Sequence, residues 1–316
     1  MSPDNPIDFS TGSLVILNVI LALMMFGVSL SLRGEDFRRV LRMPEAPAAG
    51  LLAQFVLLPA LTCVITWFLD VEPELALGMI LVASCPGGTF SNIMTWLARA
   101  NVAVSVSMTA VSSLAATVLT PLNFALYGWL NPNTRAMVTE IALDPWNILL
   151  LVALVLALPL VLGMLAGRHF PRFAERAQKP MRVITLLVLF AFVGLAFGKN
   201  MDVFLENADR IVALVIGQNA LALGVGALAG LLVGLNRADR RAVTMEVGIQ
   251  NSGLGLAILF TFFPQAAGMI LIAGFWGVWH LVSGLTLSQL WARQSRRTER
   301  HEQQQEAARR GVSQSL

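Results

Sequence analysis

The sequence predicts an all-α integral membrane protein with nine transmembrane helices. Two observations predict this fold class: the composition of the chain, and the regular alternation of long apolar runs with short polar segments. Hydrophobic residues make up 56% of the 316 residues and charged residues only 13%, whereas a soluble domain carries about 25% charged residues. The composition therefore excludes an ordinary soluble domain.

The apolar runs give the number and positions of the helices. A helix needs about 17 to 25 mainly apolar residues to cross the hydrocarbon core of a bilayer, and nine runs of about this length occur. In chain order, the predicted spans are residues 12–32, 46–69, 75–97, 103–130, 146–167, 183–199, 211–235, 242–263 and 268–291.

The basic residues predict the orientation of these spans. Short cytoplasmic loops carry an excess of Lys and Arg. Of the 22 basic residues, 19 follow spans one, three, five, seven and nine, and only Arg135, Lys199 and Arg210 fall on the other side. We therefore expect the N-terminus outside the cell and the C-terminus in the cytoplasm. The net charge of +3 reflects this topology and does not indicate binding to nucleic acid.

The two ends of the chain and the cysteines add little chemistry. Residues 1–11, the predicted extracytoplasmic N-terminus, contain no Lys or Arg and so lack the basic region of a cleaved signal peptide. Residues 293–316 are polar and rich in Gln, which predicts a cytoplasmic tail with no core of its own. Cys63 and Cys85 lie in different spans without a metal-binding or redox spacing, so we do not expect a disulfide framework.

Two predicted spans contain sequences that do not suit a continuous apolar helix. Span three contains CPGGTFSN at residues 85–92, and span eight contains EVGIQNSGLG at residues 246–255. Pro removes a backbone donor, and the glycines permit unwinding. Unwound backbone at membrane depth is tolerated only where it is buried in protein or lines a cavity. We therefore predict that both helices are broken.

The positions of these breaks predict an internal repeat. Spans three and eight are five apart, so they cross the membrane in opposite directions. Paired interrupted helices of opposite orientation are typical of secondary transporters built from inverted repeats, with the binding site where the breaks meet. We predict a first repeat of four helices at residues 12–130 and a second of five at residues 146–292.

Glu246 is the acidic residue placed most clearly inside a predicted span. A charge at the centre of a spanning helix costs about 2.5–3.5 kcal/mol on insertion scales, so such residues usually face a polar cavity or a functional site. The alternative is a carboxylate near a helix end that pairs with Arg240 or Arg241.

Other polar residues in the spans also allow two interpretations. Ser105 and Thr109 are four residues apart and share one helix face, where they could line a site or bond back to carbonyls of their own helix. Gln54, Gln218 and Asn219 could bind a ligand or bridge two helices. Taken together, these carboxylate, amide, hydroxyl and freed carbonyl oxygens suit a hard cation such as Na⁺, whereas Cys and His do not cluster as soft metals require.

The two interrupted segments carry a family resemblance. CPGGTFSNIMTWLARANVAVSVSMTAVSSL and EVGIQNSGL closely resemble the signature segments of the bile acid:sodium symporter family, and the similarity runs in register from about residue 12 to 292. The resemblance implies a panel domain and a core domain, the latter with two broken, crossing helices. It also implies two inverted five-helix repeats, and this chain looks like the bacterial nine-helix form that lacks the first helix.

The resemblance further implies two sodium sites. The first would use the side chains of Ser91, Asn92, Ser105, Thr109 and Glu246. The second would use the side chains of Gln54, Glu246 and Gln250 with the backbone carbonyls of Val247 and Ile249. Every side chain in these two sets carries oxygen.

The substrate that the resemblance implies is an organic anion. In relatives it faces the positions of Thr89, Phe90 and Asn251 and the segment that carries His280, although this His could equally be packed with one ring nitrogen satisfied. Phe90 stands where some bacterial relatives have a small residue, and Leu281 where they have Asn. The pocket is therefore predicted to be bulkier or less polar than theirs.

The sequence favours one function and leaves another open. The favoured function is symport of Na⁺ with a bile-acid-like anion or small carboxylate into the cell, by alternating access, in the inner (plasma) membrane. The alternative is an efflux or exchange carrier, either proton-coupled or similar to arsenite carriers, with Cys85 and Glu246 in the two breaks. An enzyme is not predicted, because Glu246, His280 and Cys85 lack the spacing of a nucleophile with its base. A receptor would not need broken helices.

Overall fold

The chain folds as a set of α-helices joined by short connections. The computed structural model describes residues 11–30, 32–141 and 145–314, and within these ranges it contains no β-strand. The helices are α1 (Thr11–Ser29), α2 (Gly34–Arg42), α3 (Glu45–Leu52), α4 (Leu58–Phe68), α5 (Pro73–Ser84), α6 (Thr89–Leu97), α7 (Val102–Leu130), α8 (Pro132–Ile141), α9 (Pro145–His169), α10 (Pro171–Lys199), α11 (Met201–Leu232), α12 (Arg237–Gly248), α13 (Ser252–Phe262) and α14 (Ala267–Gln314). A short π-helical segment, Ala53–Leu57, joins α3 to α4.

Several of these helices are long enough and apolar enough to cross a membrane. Five such helices occur in the described part of the chain: Glu45–Phe68, Val102–Leu130, Pro171–Lys199, Met201–Leu232 and Ala267–Arg297. Shorter apolar helical segments occur at Val19–Ser29, Pro73–Ser84, Val155–His169 and Ser252–Phe262. These helices are those of a multi-pass membrane protein, and the count of nine spans stays a prediction.

Both interrupted segments are non-helical where the sequence predicts. The first helix stops at Ser84 and resumes at Thr89, and the second stops at Gly248 and resumes at Ser252. The two breaks lie against each other in an antiparallel bridge between Gly87 and Gln250. The Gly88 N–H donates to the Ile249 carbonyl at 3.0 Å, and the Asn251 N–H donates to the Pro86 carbonyl at 2.8 Å. Each break therefore satisfies backbone groups that the other leaves without a helical partner.

The interrupted helices form the interior of the molecule. All residues from Leu75 to Ser84 in α5 and from Ser252 to Phe260 in α13 are buried, as are residues 241–248 of α12. In contrast, much of α10 is exposed in the isolated chain. The irregular backbone of the breaks thus lies where protein surrounds it, as a membrane setting requires.

The structure differs from the sequence-based boundaries mainly at the ends of helices. The polar residues after 292, which are predicted to form a cytoplasmic tail without a core, continue α14 as a helix to Gln314. Helix α10 begins at Pro171, twelve residues before the predicted span. The short helices α2 and α8 were not predicted, since neither is apolar enough to resemble a span. The predicted N-terminal segment, residues 1–11, lies outside the described residues except for Thr11.

Candidate functional site

The carboxylate of Glu246 lies in the centre of a cluster of hydroxyl groups. Glu246 belongs to the last turn of α12, next to the second break, and its side chain is fully buried. Its Oε2 atom accepts hydrogen bonds from Ser91 Oγ at 2.5 Å and Ser105 Oγ at 3.0 Å. Its Oε1 atom accepts a hydrogen bond from Thr109 Oγ1 at 2.6 Å. The three hydroxyls come from α6 and α7, so this cluster joins three helices.

Acceptor oxygens outnumber hydroxyl protons in this cluster. The same three hydroxyls also lie within hydrogen-bonding distance of the amide oxygen of Asn92 and of the carbonyls of Gly88 and Ser105. Three hydroxyl protons are therefore shared among five acceptor oxygens when both carboxylate oxygens are counted, and of these oxygens the Gly88 carbonyl also accepts the Ser91 N–H at 2.9 Å. An excess of buried oxygen lone pairs around a carboxylate is the donor set that a hard cation requires.

Polar caps at one end of α7 and α12 bring these side chains into register. Asn101 caps α7, and its Nδ2 donates to Asp239 Oδ1 at 2.6 Å. Asn236 caps α12 and donates to the other oxygen of Asp239 at 2.7 Å. Ser105 and Thr109 follow Asn101 at intervals of four residues, and Glu246 follows Asp239 by about two turns. Because these intervals keep the residues on one face of each helix, the caps that join the two helix ends also direct the side-chain oxygens of Ser105, Thr109 and Glu246 toward one point.

Gly87 provides the space for the Glu246 carboxylate. A Cβ atom at Gly87 would overlap Oε1 of Glu246 and also approach its Cδ atom. A residue with a side chain at this position of the first break would therefore displace the carboxylate from the hydroxyl cluster. From the sequence alone, Gly87 is expected only to permit unwinding.

The residues of the predicted second sodium site are brought together in part. Gln54 lies in the π-helical segment, and its Nε2 is 3.4 Å from Gln250 Oε1. The Oε1 atom of Gln54 is buried without a hydrogen-bond partner. The carbonyl of Val247 accepts a hydrogen bond from Gln250 Nε2 at 2.8 Å, and that of Ile249 accepts the bond between the breaks. The side-chain hydrogen bonds of Glu246 all belong to the first cluster.

Two further amides act as helix bridges, which was one of the interpretations open from the sequence. Gln218 Nε2 donates to the Met79 carbonyl at 2.7 Å, and Asn219 Nδ2 donates to the Gly248 carbonyl at 2.9 Å. Gly248 is the last residue of α12, so Asn219 satisfies a carbonyl that the break leaves without a helical partner. These bonds connect α11 to both interrupted helices.

A narrow cleft runs along the meeting point of the breaks. Its lining includes Thr89, Phe90 and Asn251, three of the four predicted substrate residues. His280 is not part of this lining. The His280 side chain is fully buried, and its Nδ1 lies 2.7 Å from the Trp276 carbonyl, whereas its Nε2 has no hydrogen-bond partner. The structure therefore fits the interpretation of His280 as a packed residue with one nitrogen satisfied.

The alternative pairing of Glu246 with a basic residue is not observed. Arg241 instead donates to Ser295 Oγ and Gln294 Oε1, both at 2.8 Å, and its guanidinium lies over the ring of Trp291. The ion pairs Arg33–Glu175 and Arg39–Asp36 lie at α2 and its N-terminal end, and neither includes Glu246. The buried carboxylate is thus surrounded by hydroxyls, without a cationic side chain bonded to it.

Comparison with known proteins identifies the family. A model of the sodium bile acid symporter family matches residues 18–207, more than half of the chain. The chain belongs to this family. The matched segment contains the first break and the hydroxyl residues of α6 and α7. Glu246 lies beyond the matched segment.

Relatives in the sodium bile acid symporter family are named as sodium-dependent transporters. The uncharacterised sodium-dependent transporter YocS of Bacillus subtilis is 29% identical over 88% of this chain and 83% of its own length. The probable chloroplastic sodium/metabolite cotransporter BASS1 of Arabidopsis thaliana is 30% identical over 86% of this chain and 66% of its own. The human sodium/bile acid cotransporter 4 is 29% identical over 83% of this chain and 59% of its own length. The matched part of this chain thus spans less than two thirds of the length of these plant and human relatives.

Proposed function

We propose that the protein is a sodium-coupled symporter that carries an organic anion into the cell by alternating access. The observation that carries this proposal is the buried Glu246 carboxylate among oxygen atoms that outnumber the available hydroxyl protons. A cation bound there would neutralise the carboxylate and use the surplus lone pairs. Membership of a family of transporters whose relatives are named as sodium-dependent supports the same assignment.

The two proposed sodium sites differ in how many of their ligand residues already lie in contact with one another. The first would be formed by Ser91, Asn92, Ser105, Thr109 and Glu246. The second would be formed near Gln54 and Gln250, where the orphaned Oε1 of Gln54 supports an additional ligand. There the carbonyls of Val247 and Ile249 would be recruited if their present hydrogen bonds were exchanged for a cation. Two Na⁺ moving with one monovalent anion would carry one net charge, worth about 2.3 kcal/mol per 100 mV.

The proposed substrate site is the cleft at the breaks. The first turns of α6 and α13 both lie beside it, through Thr89 and Phe90 in one case and Ser252 and Gly253 in the other. Helix N-termini present backbone N–H groups and a partial positive charge, which favour an anion. An organic carboxylate or bile-acid-like anion would thus bind without a basic side chain, and Phe90 would restrict its shape. His280 would contribute only after a change in the packing around it.

The proposed architecture follows the inverted-repeat plan. Nine spans would form two repeats, at residues 12–130 and 146–292, with the interrupted helices in a core domain and α1, α9 and α10 in a panel domain. The N-terminus would lie outside the inner (plasma) membrane, and the polar end of α14 in the cytoplasm. Alternating access would arise from movement of the panel against the core.

The metalloid-carrier alternative has weaker support. It would use Cys85 and Glu246 together, but the side-chain hydrogen bonds of Glu246 go to hydroxyls. The thiol of Cys85 is buried and faces Gly255. Among the described residues there is no cluster of three or more His, Cys, Asp or Glu that could hold a metal.

Thermal unfolding of the purified protein tests the proposed function. Wild type, Glu246→Ala and the matched control Glu206→Ala, whose carboxylate is exposed, are compared in NaCl and in choline chloride of equal ionic strength. A ligand at one hundred times its Kd stabilises the native state by about 2.7 kcal/mol. Sodium is expected to raise the Tm of wild type and of Glu206→Ala but not that of Glu246→Ala. An equal rise in all three proteins would contradict the proposed role of Glu246.

A further inference from the structure

A basic cavity lies between the C-terminal part of α11, the N-terminal turns of α12 and the middle of α14, away from the cleft at the breaks. Three arginines of the first turns of α12 line it: Arg237, Arg240 and Arg241. The opposite walls include Leu231 of α11 and Trp291 of α14. By the distribution of basic residues, this end of the molecule is the predicted cytoplasmic side.

The charge of the three arginines is not balanced by an acid in the cavity lining. Asp239 belongs to the same helix, but its two carboxylate oxygens accept hydrogen bonds from Asn101 and Asn236 instead. Neither ion pair in the described part of the chain involves these arginines. Burial lowers the pKa of Arg241, and the charges of Arg237 and Arg240 lower it further. The guanidinium groups are therefore close enough to repel one another.

The cavity adjoins an apolar surface that suits lipid. Leu231 itself is 56% exposed, and its neighbours Leu228 and Leu232 are 53% and 77% exposed. Trp291 lies at the boundary between the apolar part of α14 and its polar extension, and the Arg241 guanidinium is 5.2 Å from its ring centroid. A ligand that fits both surfaces has an anionic group for the arginines and an acyl chain for the leucines.

We propose that this cavity binds the phosphate headgroup of an anionic phospholipid from the cytoplasmic leaflet, with the acyl chains against the leucines of α11. Guanidinium groups form paired, charge-assisted hydrogen bonds with phosphate oxygens. Basic pockets between transmembrane helices on the cytoplasmic side are suited to such headgroups. Free phosphate shares the headgroup chemistry, but the apolar wall favours the lipid.

Native mass spectrometry with lipid titration tests this site on the full-length protein. Binding of phosphatidylglycerol is compared for wild type, for Arg237→Gln/Arg240→Gln, and for the matched control Arg172→Gln/Arg176→Gln. The control removes the same charge from exposed positions on the same predicted side. We expect the cavity variant to lose about 30-fold in affinity, the effect of two basic residues near an anionic surface, and the control to bind as wild type does.

Further comparisons distinguish a lipid headgroup from free phosphate, and they distinguish a loss of binding from a folding defect. Ala227→Phe fills the apolar wall of the same cavity without removing charge, and it should also weaken phosphatidylglycerol binding. Phosphatidylcholine and inorganic phosphate are the comparison ligands, with the Tm as a second readout. Equal affinity of all variants for phosphatidylglycerol, or equal stabilisation by phosphatidylcholine, would overturn the site. Stabilisation by inorganic phosphate as strong as that by the lipid would overturn the lipid assignment. None of these readouts depends on transport, so this proposal and the proposed function can fail separately.

Discussion

The hydroxyl groups around Glu246 can play two roles, whereas a basic side chain could play only one. A Ser or Thr hydroxyl carries one proton and two lone pairs, and it rotates to suit its partner. Ser91, Ser105 and Thr109 can thus donate to the carboxylate in the absence of a cation and offer lone pairs in its presence. An arginine has donors only and would compete with a cation for the same carboxylate. This difference explains why a buried acid here is bonded to hydroxyls.

Replacing Thr109 with Val should weaken sodium binding while leaving the fold intact. The change removes the hydroxyl that donates to Glu246 Oε1 and keeps the β-branched shape. In the sodium-bound state the change would remove one proposed ligand oxygen, so the sodium concentration for half-maximal stabilisation should rise about tenfold, the effect of about 1.4 kcal/mol of binding free energy. The measurement is the Tm as a function of NaCl concentration.

The matched control for this change is Thr117→Val on the same helix. Thr117 is also buried, but its hydroxyl donates to the Leu114 carbonyl of its own helix. Its sodium dependence should match that of wild type. A similar shift in both variants would mean that the effect comes from α7 in general and not from the hydroxyl cluster.

Replacing Gly87 with Ala should displace the Glu246 carboxylate, because the added methyl group would overlap it. We expect loss of the sodium-induced rise in Tm. Gly224→Ala is the control, since a Cβ there meets no atom within 4 Å and Ala favours a helix by up to about 1 kcal/mol. If Gly87→Ala retained a wild-type sodium response, the carboxylate would not depend on the space that Gly87 leaves.

The second break is followed directly by α13, and Asn251 is the residue immediately before this helix. Its side chain accepts a hydrogen bond from the Leu254 N–H at 3.1 Å and caps α13. The same residue lines the cleft. Capping and contact with an anion are separable roles, because Asp caps a helix as well as Asn does but repels an anion.

Two substitutions of Asn251 separate these roles. Asn251→Ala should lower the free energy of unfolding by about 1 kcal/mol, the typical effect of losing a cap. Asn251→Asp should keep the stability of wild type but abolish sodium-driven uptake of an anionic substrate. Stability is measured by chemical or thermal unfolding, and uptake in proteoliposomes with a sodium gradient. Full uptake by the Asp variant would exclude contact between this side chain and the anion.

The elements differ in how far the sequence predicts them. Pro86, Gly87 and Gly88 predict the first break because their backbone chemistry is local. The bridge between Gly87 and Gln250 could not be predicted in the same way, because it joins residues that are distant in the chain. The family resemblance indicated that Ser91, Ser105 and Glu246 belong together, but it did not reveal the caps that align their helices. Asn101 and Asn236 precede helices in the sequence and were available as capping signals.

The helical state of the polar part of α14 could not be predicted from composition. Residues after 292 offer no apolar stripe, so composition predicts a tail without a core. The structure continues the helix to Gln314, since propagating an existing helix avoids the cost of nucleating a new one. Bonds from Arg241 to Gln294 and Ser295 hold the first turn of this extension against α12.

At the scale of the whole molecule, burial separates two groups of helices. The interrupted helices are enclosed, whereas α10 presents apolar side chains such as Leu187 and Phe190 to its surroundings. In water this surface would be unfavourable, but in a bilayer it faces lipid. The fold is therefore that of a multi-pass membrane protein, and the basic residues predict its orientation there.

Labelling of introduced cysteines tests this orientation. A membrane-impermeant maleimide should modify Ala136→Cys in intact cells, because α8 is predicted to lie outside. Arg293→Cys should react only after the membrane is permeabilised. Both native cysteines are buried, so wild type serves as the unlabelled control. The reverse pattern would invert the predicted topology.

The bridge between the two breaks also restricts the length of the chain around it. Because the Gly88 N–H pairs with Ile249 and the Asn251 N–H pairs with Pro86, the two segments have a fixed register. Inserting one residue into either segment would turn the paired groups away from each other, as a one-residue slip does between strands. Each break is thus held to its length by a segment more than 150 residues away, so an insertion in one break would disturb both.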